Sequence, residues 1–314
     1  MPQADVCVVG EINCDLLLYG LPKKLEPEKE TLAEGFRLTL GSSSAIFAHN
    51  LSALGARTRI VSKVGDDPLG KIAVARLREG GVDVAAVRTS VEGTATGVTV
   101  ILAQSRERYI LTYPGTMAEF CYEDIAPDPV FSARHLHLSS FFLHRALRPQ
   151  IARLFREAKE KGLTTSLDTN DDPEERWASD LLEVLPFVDI FLLNEREAKA
   201  ITRCGEASQA AHKLSELSRT VVIKLGASGA MAREGQKEWR SPGVRVEAVD
   251  TVGAGDSFDA GFIYKFLAGA SREESLRFAN IAGAFSTTRE GGTEAFRDSA
   301  AMREFFETQL CPKR

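Results

Sequence analysis

The stretch Asp250-Thr-Val-Gly-Ala-Gly-Asp256-Ser-Phe-Asp-Ala-Gly261 joins two patterns of different period. Before it, residues 244–249 (VRVEAV) alternate like a strand; after it, Phe258, Phe262 and Phe266 recur at the spacing of a buried helix face. A strand that feeds a helix through a glycine-rich turn is a building unit of α/β folds. Gly253, Ala254 and Gly255 permit a tight turn and leave consecutive N–H groups at the helix N-terminus, where they and the helix dipole suit a phosphate or a developing anion. Asp256 in that same turn would repel a resting phosphate. It makes sense there as a base that takes a proton from an attacking hydroxyl. The string alone leaves a second reading open, an ordinary glycine-rich turn with Asp256 as a helix cap.

Working outward, apolar runs of strand length at 6–10, 59–64, 135–139, 163–168, 188–194 and 220–225 alternate with helical patterns such as Ile151, Leu154, Phe155 and Ala158. This rhythm predicts an α/β fold with a mostly parallel central sheet and helices on both faces. Two segments, about 16–40 and 94–113, lack a crossover helix. The second carries TGVTVIL and RYILTY around the polar AQSRER, the pattern of a β-hairpin. Together they predict a small β-sheet standing off the main one, either a lid that keeps water from a site or a plain sheet extension or dimer contact.

The composition narrows the classes of function. With 314 residues, 44% hydrophobic and 26% charged, the chain has material for one large α/β domain spanning 1–314. A net charge of −5 does not favour nucleic acid as a partner. No window reaches the ~18 apolar residues of a membrane span. The opening MPQADVCVVGEIN lacks the basic region and apolar run of a signal peptide. Five scattered cysteines with no C-x-x-C pair indicate neither a zinc site nor a disulfide framework, and reduced thiols fit a cytoplasmic setting. His135 and His137 share one strand face without an evident third ligand, which favours a hydrogen-bonded pair over a metal site. The P-loop pattern is absent, so a Walker-type nucleotide site is not supported.

The string D-T-V-G-A-G-D-S-F resembles the C-terminal motif of the ribokinase-like (PfkB) carbohydrate kinase family, D-T-x-G-A-G-D-x-F, at every specified position. The resemblance implies a three-layer ribokinase-like fold with a β-sheet lid. It makes Gly253, Ala254 and Gly255 an anion hole and Asp256 the catalytic base. Val9-Gly-Glu11-Ile-Asn-Cys-Asp15 resembles the family's first strand and loop, which places Asp15 over the acceptor's hydroxyls. The segment from Gly41 to Gly55 lines up with the N-terminal motif and assigns Gly41, Ser42 and Ser43 to the substrate, but Ser42 replaces the usual second glycine and Ile46 the usual Asn. Asn50 lies about one helical turn too far along to replace it. Gly65-Asp-Asp-Pro-Leu-Gly70 matches the family's G-x-D-x-x-G.

Asn194-Glu-Arg-Glu197 fits the N-x-x-E motif, implying Asn194 near the nucleotide and Glu197 near Mg²⁺ through water; as residues alone they read equally as a helix N-terminus. Lys224, Gly226 and Gly229 resemble the strand and turn beside the nucleotide phosphates, although the glycine pair alone reads as a hairpin turn. Thr251, Asn280 and Gly283 fall on the nucleotide side. Asp250 is implied as a ligand of a monovalent cation such as K⁺. The function implied is an ATP- and Mg²⁺-dependent kinase acting on a hydroxyl of a sugar or sugar acid, with a homodimer through the lid sheet as a further expectation. Arg106 and Arg108 in the lid suit an acidic acceptor. A nucleoside kinase of the same family, or a non-catalytic sugar- or nucleotide-binding protein on this fold, are the alternatives.

Overall fold

The computed structural model describes residues 4–22, 24–104, 107–177 and 180–311. In chain order the strands are β1 (Val6–Val9), β2 (Asn13–Tyr19), β3 (Gly35–Gly41), β4 (Thr58–Val64), β5 (Asp83–Thr89), β6 (Gly97–Gln104) and β7 (Glu107–Tyr113). They are followed by β8 (His135–Leu138), β9 (Thr164–Asp168), β10 (Ile190–Asn194), β11 (Thr220–Lys224), β12 (Ala230–Glu234) and β13 (Lys237–Ser241). Nine of them form one sheet in the order β13-β12-β11-β10-β9-β8-β1-β4-β5. Every pair from β5 to β11 is parallel; only β12 and β13 run antiparallel, as a hairpin at one edge.

Alternation along the central strands accounts for the layers. Cys7, Val9, Leu136, Leu138, Phe191 and Leu193 point to one face, where helix Ile151–Glu160 contributes Leu154 and Phe155. Val6, Val8, Ile190, Leu192 and Val222 point to the other, against Phe47 and Leu51 of helix Ser43–Ala53 and Phe262 of helix Ala254–Leu267. Both faces are apolar and covered, as a parallel sheet requires. His135 and His137 are fully buried and hydrogen-bond Thr164, Ser166 and Ser139 at 2.7–2.8 Å, with His137 stacked on Phe47. They are the hydrogen-bonded pair expected from the sequence. Burial holds both imidazoles neutral by pushing their pKa values down.

One expected strand is missing. Residues 244–249 alternate as read, Val244 and Val246 half-buried and Arg245 and Glu247 exposed, but form no ladder. β13 already ends the sheet, and Val244 packs instead against the aromatic cluster of Phe278, Phe285 and Phe306. The alternation records a segment lying on helices, with its Val249 N–H donating to Thr287 O.

The small second sheet has the order β3-β2-β6-β7, antiparallel except for β2 with β6. Its strands occupy the two segments that lacked a crossover helix. Leu17 and Ile101 on its inner face pack with Val252 of the glycine-rich turn, which ties the sheet to the start of helix Ala254–Leu267. Arg106 lies outside the described residues.

Candidate active site

Because β1, β8, β9, β10 and β11 are parallel, their carboxyl ends meet along one edge, where α/β sheets place their ligands. The loops there present Glu11, Ser140, Asn170, Asn194 and Lys224. A cavity of about 640 Å³ opens between this edge and the small sheet, which contributes Asp15, Thr99 and Arg108 to its wall.

Of the residues assigned to the acceptor, the structure brings Asp15, Ser42 and Ser43 into this cavity together with Gly253 and Asp256. Gly41 lies behind Asp15, so close that a Cβ would collide with the carboxylate. Asp15 is 5% exposed and accepts no hydrogen bond among the described residues. Burial, then the charges of Asp256 and Asp250, push its pKa up to about 7 against the pull of Arg108. Asp256 is also raised to about 7, by burial and by Asp168, with Lys224 and the Ser43 hydroxyl opposing. A carboxylate with a pKa near neutrality is matched to taking a proton from an alcohol at physiological pH.

The turn itself explains where Asp256 points. Gly253 is the helix N-cap at φ 72°, with no side-chain cap bond, and Asp256 stands in the first turn. The cap reading of Asp256 therefore falls. A Cβ at Gly253 would stand 2.5 Å from Gly292 Cα and 3.1 Å from Ile46 Cγ2. Gly255 is less constrained: its Cβ would meet only the end of the Lys224 side chain, 3.5 Å away. The conformational need expected of the whole turn rests on Gly253. Ile46 lines the cavity but is 2% exposed and wedges against Gly253 and Gly292. Asn50 lies behind, donating to Ser257 Oγ and Gly292 O at 2.9 Å, while Ser257 Oγ donates to Gly253 O at 2.7 Å. Asn50 thus fastens the turn from outside the cavity.

Several cavity residues were missed from the sequence. Glu11, 2% exposed, accepts from Ser44 N, Ser44 Oγ, Ser140 Oγ and His144 Nε2 at 2.7–3.2 Å. Burial works to raise its carboxyl, but the bond and charge of His144 outweigh it and hold the pKa below the ordinary value. Asn170 donates to Ser43 Oγ at 2.8 Å. Asn13, 3% exposed, leaves Oδ1 without a partner among the described residues. The signal for Glu11 was available: an acid directly after a buried strand needs partners.

The residues that the sequence resemblance assigned to the nucleotide do not line this cavity. Asn194 and Glu197 form a reciprocal capping box at helix Glu195–Thr202. Glu197 is 3% exposed, and burial, with Asp168 nearby, raises its pKa to about 7. Lys224 donates to Asp168 and Asp259 at 2.8 Å each. Burial opposes its charge, but these carboxylates outweigh that and hold the ammonium well above its ordinary pKa. Gly226 begins a single 3-10 turn closing the β11–β12 hairpin, where Leu225 N donates to Gly229 O at 2.8 Å. Asn280 donates to Ser241 O and Pro242 O, and Gly283 lets helix Arg272–Ser286 approach Ala254, whose carbonyl would be 3.1 Å from an added Cβ. Thr251 is exposed, with its hydroxyl 3.4 Å from Arg108 Nη1. Asp250 accepts from Val252 N and Gly291 N at 3.0 and 2.9 Å.

Among the described residues no group of three or more His, Cys, Asp or Glu side chains is arranged to hold a metal ion. The donors suit an ion that keeps its water and takes ligands from phosphates, as Mg²⁺ does, and no all-protein cage.

A doubly covered parallel sheet with an acid at a glycine-rich helix start, facing a cavity under a second sheet, defines a phosphotransferase of the carbohydrate-kinase type. The chain belongs to the pfkB family of carbohydrate kinases, whose family model matches residues 3–298. It is 32% identical over 292 residues to an ATP-dependent ribose-1-phosphate kinase of Halopiger xanaduensis, covering 92% of this chain and 94% of that one. It is 28% identical to a ribokinase of Haemophilus influenzae, covering 97% and 99%. The fold is similar to that of Arabidopsis thaliana ribokinase complexed with ribose and ATP, with a TM-score of 0.83, 26% identity and coverage of 97% and 99%.

Proposed function

We propose that this kinase transfers the γ-phosphoryl group of ATP to a hydroxyl of a sugar or sugar acid held in the cavity beside Asp15. The observation that carries this reading is the shared cavity: Asp256, Asp15 and the turn at Gly253 all face it. Asp15 and Asn13 have acceptor capacity that no described protein group uses, and sugar hydroxyls supply the missing donors. Asp256 takes the proton of the attacking hydroxyl. The new O–P bond forms as the bond from phosphorus to the ADP oxygen breaks. The N–H groups at Gly253 and Gly255, with that of Ala254 once its 3.3 Å bond to Thr251 O opens, face the charge that develops on the moving phosphoryl group, a positioning and electrostatic role rather than a covalent one.

Lys224 adds a fixed positive charge beside Gly255. Asn194, Gly226, Gly229, Thr251, Asn280 and Gly283 shape the nucleotide side. Mg²⁺, when bound, would neutralise phosphate charge; Glu197, whose carboxylate already accepts from the Asn194 N–H and side-chain amide, would hold it through water. A K⁺ ion at Asp250 would use the lone pairs left free by its two backbone donors. The small sheet serves as the lid over the acceptor.

The test is ATP consumption over sugars, sugar acids, sugar phosphates and nucleosides with the native chain and Asp256→Asn. The variant keeps shape and loses the base, so kcat falls by about 10²–10⁴ while ATP affinity is retained. Near-native kcat on the true substrate in that variant would remove Asp256 from the mechanism.

A further inference from the structure

The charges around the cavity are sorted by depth. Its deep end holds Asp15, a buried carboxylate with no hydrogen bond or ion pair among the described residues. Its outer wall carries acids that are already paired: Asp171 with Arg196, and Glu174 with Arg176 at 3.4 Å. Arg148 on that wall is also committed, forking onto Asp180 at 2.6–2.9 Å. Two guanidinium groups are left over. Arg145, just past the 3-10 turn Phe141–Leu143, is exposed, and its side chain forms neither ion pair nor hydrogen bond among the described residues. Arg108, on β7 of the small sheet, has only the 3.4 Å contact with Thr251 among the described residues. The two come from different elements and face one cavity.

We infer that the acceptor carries an anionic substituent, a phosphate or a carboxylate, that Arg108 and Arg145 receive at the outer end of the cavity while its reacting hydroxyl lies inward beside Asp15. The inference rests on the hydroxyl-kinase reading only for which end of the acceptor reacts. Two buried carboxyl groups that no ion pair neutralises among the described residues, Asp15 and Asp256, would repel an anion brought deep into the cavity. The same acceptor turned the other way puts donors on Asp15 and oxygens on the guanidinium groups. A planar guanidinium meets a carboxylate or phosphate through two parallel N–H···O bonds. Drawing Arg108 inward would also bring the small sheet down over the site, since Arg108 lies on its β7 strand.

Binding and turnover are to be measured separately. Calorimetry with ribose, ribonate, ribose 1-phosphate and ribose 5-phosphate compares one sugar skeleton with and without its charge, and the tightest charged arm identifies phosphate or carboxylate. In the native chain at least one charged form should bind roughly 10-fold or more tighter than ribose. Arg145→Ala and Arg108→Ala should each reduce that ratio by roughly 3-fold or more, and the double substitution should bring it near one. Both positions are exposed, and unchanged thermal unfolding verifies that the variants fold. Equal binding of ribose and all charged forms overturns the inference, as does a preference that survives both substitutions. ATP consumption is read beside this: arginine-dependent binding of a charged sugar without turnover would sink the kinase reading and leave the anionic acceptor standing.

Discussion

The acceptor cavity and the cluster around Lys224 are both built from buried carboxylates, yet they are finished to different degrees. At Lys224 one ammonium serves Asp168 and Asp259, Asn194 engages Glu197, and only Asp259 Oδ1 is left without a hydrogen-bond partner among the cluster's described atoms. In the cavity Asp15 accepts no hydrogen bond and Asn13 Oδ1 has no partner among the described residues. A folded chain keeps uncompensated polar groups out of its interior unless something else supplies the partner. The first region is therefore a prebuilt electrostatic frame, and the second is a half-site that a ligand completes. Predictions that separate the two follow from this contrast.

Lys224→Met attacks the finished region. It strands Asp168, Asp259 and Glu197 without their counter-charge, and breaking a buried pair this way costs about 3–5 kcal/mol. Denaturant unfolding should show that loss at pH 8 and a smaller one near pH 5, where the stranded carboxyls take up protons. Lys224 also holds the pKa of Asp256 down. The midpoint of the kcat/KM–pH profile should therefore move up in the variant; an unmoved midpoint would uncouple the cluster from the base.

Gly253→Ala and Gly255→Ala divide the turn. An alanine at φ 72° costs about 1–2 kcal/mol, and its Cβ would also press on Gly292. At Gly255 the added methyl meets only a flexible lysine end. Thermal unfolding should drop by several degrees for the first and stay within about a degree for the second. Equal losses would mean that the strain is not confined to Gly253.

Asp15→Asn probes the unfinished side. The pKa of Asp15 is about 7 in the folded chain and its ordinary value is 3.8. Between those values the folded state holds a proton that the unfolded state has released, so stability falls as pH rises from about 4 to about 7. The Asn variant lacks this penalty. It should be more stable than the native chain by about 1–3 kcal/mol at pH 8, with the difference gone near pH 4, while acceptor binding weakens. A variant less stable than native at pH 8 would show that Asp15 has a structural donor.

The fold was legible because its signals are local. Buried parallel strands read as apolar runs, and the small sheet showed itself by two β-patterned segments without crossover helices. Residues 244–249 misled because alternation reports which side is wet, and a segment lying on helices satisfies it as well as a strand does. The site was legible where residue type and chemistry coincide in one short string, as at Asp256. Glu11 with His144 and Ser140, or Lys224 with Asp168 and Asp259, depend on contacts across 35 to 133 positions, and no spacing rule announces them. Asn13 was hidden differently: its importance lies in a bond it does not make.

Glu197 belongs to the Lys224 cluster, and Glu197→Gln is the smallest and most discriminating change. As the third residue of helix Glu195–Thr202, a glutamine can still accept from the Asn194 N–H, so the capping box survives and stability near pH 5, where the native carboxyl is protonated, should change by less than about 0.5 kcal/mol. If capping were the residue's whole task, nothing else would change. A water-mediated role towards Mg²⁺ needs the negative charge, and burial with Asp168 sets the pKa of that carboxyl at about 7. Below pH 6 the native residue is mostly protonated and resembles glutamine; at pH 8 it is mostly ionised. The Mg²⁺ concentration giving half-maximal rate should therefore coincide in the two proteins at pH 6. At pH 8 it should be a few-fold higher in the variant, the scale on which outer contacts tune a metal site when they act at a distance. Superimposable Mg²⁺ titrations at both pH values would assign Glu197 to the helix cap alone.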